Sequence, residues 1–150
     1  METAIGIVLL LLLTFSVVDA GLLFFAYLTL QNGVTEATRF GVTGQQMQDP
    51  NDPSNTLTRQ ATVKQRVRAS TPGLAVTEGE ITFYDVTSGT PILISDMGSP
   101  NSVIQVRVTH RWQLLSPLLW PLVGNGGVLT LRVSATMKNE PFPSSPSSPS

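Results

Sequence analysis

Residues 103–113 read VIQVRVTHRWQ, and residues 128–138 read VLTLRVSATMK. In the first stretch Ile104, Val106, Val108, His110 and Trp112 alternate with Gln105, Arg107, Thr109 and Arg111. In the second, Leu129, Leu131, Val133, Ala135 and Met137 alternate with Thr130, Arg132, Ser134, Thr136 and Lys138. A period of two sustained over both stretches is the pattern of antiparallel strands with one face buried and one in water. Trp112, Leu131 and Val133 are expected on the buried side.

Working outward, two shorter strands are expected upstream, at 80–86 and 91–95, separated by the turn Thr87-Ser88-Gly89. Before them the period changes to about 3.6. A helix is expected over 56–70, capped by Asp52, Ser54 or Asn55 and stopped by Thr71-Pro72-Gly73. Its broad side carries Leu57, Ala61, Lys64, Val67 and Arg68. Arg59, Lys64, Arg66 and Arg68 form a basic face, read either as solvated surface or as a docking patch for acidic partners or lipid. The stretch 45–54 holds prolines, aspartates and asparagine without apolar periodicity and reads as a loop. The expected architecture is α+β: a long N-terminal helix, then a second short helix packed on a roughly four-stranded antiparallel sheet.

The N-terminal helix rests on AIGIVLLLLLTFSVVDAGLLFFAYLTL at 4–30, whose sole ionisable side chain in water is Asp19. At 1.5 Å per residue this run is roughly 40 Å long, more than the roughly 30 Å hydrocarbon core, so it can span a bilayer. It is longer than the apolar part of a secretory signal and lacks a basic start, which favours a retained membrane helix over a cleaved signal. No Lys or Arg precedes Arg39 to orient it. Either Met1 is not the translation start and a short basic leader has been removed, or other signals set the orientation.

Helical spacing continues to Gly41. Gly33, Ala37 and Gly41 lie four apart, as either a frayed end or a seam that lets another helix approach closely. Asp19 is costly inside a membrane; it reads either as an acid near the far interface, helped by Ser16, or as a partner for another subunit. Glu2 and Asp19 are roughly 25 Å apart along the helix and cannot pair within one chain.

The connection between the long strands, 114–123, is LLSPLLWPLV, with Gly124-Asn125-Gly126-Gly127 after it. Leu118, Leu119 and Trp120 either cap the core or belong to an exposed patch meeting a membrane or a neighbouring subunit. After Glu140 the tail, PFPSSPSSPS, lacks the apolar content for a core and reads as an extended arm or disorder. Phe142 is its one large apolar side chain, a candidate to dock on the leucines of 114–122 of a neighbour. The chain thus divides into a helix at 1–42, a head at 43–140 and a tail at 141–150.

Chemistry is sparse. Nine Lys and Arg against ten Asp and Glu give a net charge of −1, with no general drive toward nucleic acid. Without cysteine there is no disulfide, thiolate zinc site or catalytic thiol. The single histidine, His110, falls on the apolar side of its strand. Acids such as Glu78, Glu80, Asp85 and Asp96 sit at turns or strand ends, where acids are ordinary. No catalytic, metal or cofactor site is expected, and no phosphate-binding or hydrolase motif is present.

An early Glu before an unbroken apolar run, then an aromatic, two aliphatics and a second acid, is Glu2, Phe15, Val17-Val18 and Asp19 here. This resembles the TadE-like pseudopilins of tight-adherence (Flp-type) pili. The segment 30–41, LQNGVTEATRFG, is similar to the one that succeeds the apolar run in that family. The stretch 103–108, the Leu-Ser-Pro-Leu-Leu loop, its Gly-rich exit and the Leu-x-Val-x-Ala-Thr-Met strand are similar to its C-terminal hairpin. The resemblance implies a single-pass inner-membrane protein with an exported head. It implies maturation by a prepilin peptidase, assembly by an ATPase-driven platform, and packing with other pilin subunits in a type IV-type pilus outside the cell. Glu2, Asp19, Gly33, Ala37, Gly41, Leu118, Leu119, Trp120 and Phe142 are the expected assembly residues. The chain departs from the family in having its early Glu second, Asp in place of the usual second Glu, and Leu22 where a basic residue is expected. The alternative to a pilus subunit is a membrane-anchored extracytoplasmic binding domain. An anchored hydrolase using carboxylates is a third and weaker reading.

Overall fold

The computed structural model describes residues 2–50 and 52–141. Phe142, the Pro/Ser tail after it and the side chains of Glu2, Leu118 and Leu122 lie outside the described residues. The order of elements is α1 (Glu2–Val42), α2 (Arg59–Ser70), β1 (Ile81–Asp85), β2 (Ile92–Ile94), β3 (Val103–Gln113), the short α3 (Trp120–Val123) and β4 (Val128–Lys138), with single 3-10 turns before β1 and on either side of α3. The fold is α+β, with one antiparallel sheet of order β2-β1-β3-β4. β3 and β4 pair along their whole length, from Val103 opposite Lys138 to Gln113 opposite Val128.

The side-chain alternation fixes the faces as expected. Ile104, Val106 and Val108 are buried, with Val133 and Ala135 beside them on β4 and Ile81 and Phe83 on β1. Leu131 packs against this core half-buried, and Trp112, nearer the end of the sheet, is also half-buried. The helical cover comes from two helices. α1 crosses β4 and β3 with its last turns, and Leu30, Val34 and Ala37 enter the same core as Val63 and Val67 of α2.

α2 starts later than the sequence pattern suggests, at Arg59, with Thr58 as its cap: the Thr58 hydroxyl accepts from Ala61 N at 3.2 Å. Residues 56 and 57 are held otherwise, Thr56 bridging Gln48 and Leu57 N donating to Met47 O. Asp52 accepts instead from Ser54 in a local turn. The buried side of α2 is Thr62, Val63 and Val67, with Thr71 just beyond its end. Lys64 and Arg68, expected on that side, lie outside it. The reason is the surface that α2 meets, a stripe of small residues on α1 that admits short β-branched side chains.

The end of α1 is closed by partners from across the chain. A helix leaves its last carbonyls without intrahelical donors. Here Thr43 Oγ1 donates to Phe40 O, Arg59 Nη2 to Gly41 O at 3.1 Å, and Glu140 N to Val42 O at 3.0 Å. The Arg59 cation also stands where the helix dipole is negative.

Candidate functional site

The lower part of α1 stands bare. Ile5, Leu9, Leu10, Leu13 and Val17 are more than half exposed, and few side chains before Val18 touch the head. As a whole, α1 is long and apolar enough to cross a membrane. Glu2 opens it.

Asp19 is the first buried side chain on α1 among the described residues. Its carboxylate is 2% exposed, Oδ1 accepting from Leu115 N and Oδ2 from Ser116 N, each at 3.0 Å. A carboxylate on an apolar helix therefore clamps the β3–β4 connection through two backbone donors of the same chain, satisfying a partner need that the sequence left open between water and another subunit. Below the clamp a groove of about 430 Å³ runs between Val8, Leu11, Phe15 and Val18 on one side and Leu115 and Pro117 on the other.

The connection itself is folded. Trp120 Nε1 donates to Leu114 O at 3.2 Å, and the Trp120 indole lies close against Gly127. A Cβ there would overlap the ring, and the positive φ of 79° at Gly127 also disfavours any other residue. Trp120 is 38% exposed and Leu119 half-buried, whereas Leu115 is 71% exposed. The stretch thus both buries Leu114 and Ser116 and presents an apolar surface.

Gly33, Ala37 and Gly41 are placed inside the chain. A Cβ on Gly33 would stand 2.7 Å from Thr71 Cγ2, and one on Gly41 would overlap Val63 and stand 2.7 Å from Met97 Cε. The stripe expected between subunits is occupied by the chain's own α2, which it lets approach at close range. Three cations of the basic face of α2 are likewise engaged within the chain. Arg59 turns inward to α1, Arg66 lies 3.1 Å from Glu36 and over the Phe40 ring, and Arg68 lies 3.5 Å from Glu78.

Two polar clusters were not anticipated. Asn139, 1% exposed, donates through Nδ2 to Met97 O at 2.7 Å and Ser99 O at 2.9 Å, while its Oδ1 accepts from Arg59 at 3.4 Å. It pins the loop between β2 and β3 against the end of α1. Arg59 Nη1 adds a bond to Gly98 O, and burial pushes the Arg59 guanidinium below its ordinary range. At the opposite end of the sheet His110 Nδ1 lies 3.1 Å from Glu80 Oε1, and Glu80 Oε2 accepts from Thr77 N at 2.7 Å. His110, on the apolar side of β3, is thus paired with an acid from the turn before β1. Among the described residues no group of three His, Asp or Glu is placed to hold a metal ion.

The apolar helix with its early Glu and second acid is also where the chain is similar to known sequences. The family model of TadE-like protein matches residues 1–39. No curated protein and no solved structure matches. The matched segment and the apolar N-terminal helix fit a pilin-like, membrane-anchored subunit. The resemblance read from Glu2, Phe15, Val17-Val18, Asp19 and the segment after Leu30 is thus borne out over residues 1–39, where the chain is similar to TadE-like proteins.

Proposed function

We propose that the chain is a structural subunit of a tight-adherence type pilus, held in the inner membrane by α1 with its head exported, then packed through α1 into an extracellular filament. The observation that carries this reading is the continuity of α1. One 41-residue helix is bare and apolar at its start and built into the head's core at its end, so a load on the rod passes to the sheet without a hinge. A TadE-like match over the same helix supports it. In this reading the partners are other copies of the chain or related pilins, with a prepilin peptidase and an assembly platform acting on it, and the subunit carries out no catalysis.

Glu2 has a defined place in the proposal. In an apolar filament core a neighbour's N-terminal amine would need a counter-charge, because an unpaired buried charge is expensive. Glu2→Ala and Glu2→Leu are expected to insert into membranes normally but to give few filaments, scored by shearing and electron microscopy of cells carrying each variant. Wild-type filament yield from both would overturn the role. Absence of the wild-type chain from sheared filaments would favour the anchored binding domain instead.

A further inference from the structure

We propose that the β3–β4 connection, residues 114–123, is a second membrane contact, lying in the upper acyl layer of the leaflet beneath the head. The proposal rests on the reading of α1 as a membrane helix and adds to it where the head meets lipid.

Position is the first argument. Asp19 lies roughly 22 Å along the helix from Ala4, which is inside the outer part of a roughly 30 Å hydrocarbon core if the apolar run fills it from its start. The clamp holds Leu115 and Ser116 at that depth, beside Phe15 and Val18. Tyr27, exposed on α1 about two turns above Asp19, marks the level where an aromatic belt meets the headgroups. The connection therefore sits below that belt, continuous with the bare rod.

Composition is the second. The ten residues 114–123 contain no charge, and Leu115 is the most exposed large apolar side chain in the molecule among the described residues.

Third, much of the backbone of this connection is already partnered, as lipid requires. Irregular backbone is tolerated at membrane depth only when its polar groups find partners inside the protein. Leu114 N donates to Gly127 O, Leu115 N and Ser116 N to Asp19, Leu119 N to Ser116 O, and Trp120 N to Pro117 O. Pro117 and Pro121 have no N–H to satisfy. The indole N–H, too, is spent on Leu114 O. The clamp supplies acceptors to two amides that would otherwise be left unpaired away from water, a condition that backbone at membrane depth must meet, and this gives Asp19 a reason to stand in an apolar helix.

The test uses the full chain in phosphatidylcholine vesicles at high lipid-to-protein ratio. The chain has two tryptophans, so Trp112→Phe leaves Trp120 as the sole indole, and lipids brominated near the carbonyl end or near the methyl end of the acyl chain report its depth. Flotation with the vesicles first establishes that α1 inserts. The expected result is strong loss of Trp120 emission with the shallow bromines and weaker loss with the deep ones, and abolition of that difference by Asp19→Leu. Because the chain has no cysteine, Leu115→Cys carrying a polarity-sensitive dye gives the same reading with Trp112 intact. A chain that floats but shows no quenching, or quenches more with deep bromines, overturns this inference and leaves the pilus reading standing. Shielding that appears only as protein density rises would identify a second copy as the occupant and also overturn it. A chain that does not float removes the membrane anchor, and both proposals with it.

Discussion

Gly41 of α1 lies directly against the Val63 side chain of α2, and eight residues earlier Gly33 meets Thr71 in the same way. Two stripes with a four-residue period, Gly33-Ala37-Gly41 and Val63-Val67-Thr71, run antiparallel and interlock. Small residues on one helix and β-branched residues on the other bring the two backbones close, a common means of joining helices.

The first prediction tests this seam. Gly→Ala inside a helix gains about 1 kcal/mol in propensity, but overpacking costs about 1–3 kcal/mol. Gly41→Ala must displace both Val63 and Met97 and is expected to lower stability by up to about 2 kcal/mol. Gly21→Ala, with nothing within 4 Å of the new methyl, is expected to be neutral or stabilising. Urea midpoints of the two variants in detergent micelles check the opposite signs.

A second prediction concerns Asn139. Its amide donates to two carbonyls and the Ser102 hydroxyl. Asn139→Ala takes the donor from Met97 O, while Ser99 O keeps the Ser102 N–H and hydroxyl, at about 1–3 kcal/mol for a buried group left unpaired. Asn139→Asp, equal in volume, offers an oxygen where donors are needed and is expected to do no better. Thermal unfolding of both variants gives the comparison.

Removing the clamp is the third. Asp19→Ala leaves the N–H groups of Leu115 and Ser116 without acceptors. Hydrogen exchange in micelles is expected to speed at 115 and 116 by about tenfold or more, the equivalent of about 1.4 kcal/mol. Amides of β3 from Val103 to Val108 should be unchanged.

A fourth prediction concerns acid. Burial pushes the Glu80 carboxyl up, but hydrogen bonds from the Thr77 N–H and His110, with the His110 charge, outweigh it and leave the carboxyl below its ordinary 4.5. A depressed folded value means that the unfolded chain takes up the proton first. The stability Glu80 contributes is therefore present above about pH 4.5 and lost as pH falls through the lowered value. Glu80→Gln is expected to be less stable than wild type at pH 7, with the difference vanishing in acid. Equal separation of the two unfolding curves at every pH would contradict it.

The strands were legible because each carries its own periodic record. Ile104, Val106 and Val108 declare a buried face without reference to any other segment. The apolar helix was legible for the same reason, as was the small-residue spacing on it. The surface that this spacing meets was not, since Val63, Val67 and Thr71 lie in and just beyond a helix whose charged residues dominated its reading. The Asp19 clamp spans 96 residues to Leu115, and its donors are backbone amides that leave no mark in the side-chain sequence. The one available signal was an acid with no partner on its own helix. Arg59 was misplaced among surface cations because the carbonyls it serves at Gly41 and Gly98 are likewise invisible in residue type.

The bond from Glu140 N to Val42 O brings the exit of the head back to its entrance. Residues 43–139 therefore form a closed excursion from the top of α1, and the polypeptide departs beside Val42, 23 residues or roughly 35 Å of helix beyond Asp19. Pro141, the last described residue, follows Glu140 at the end of the head away from the apolar start of α1, so a peptide fused directly after residue 141 would be joined far from the part of the helix that anchors and packs.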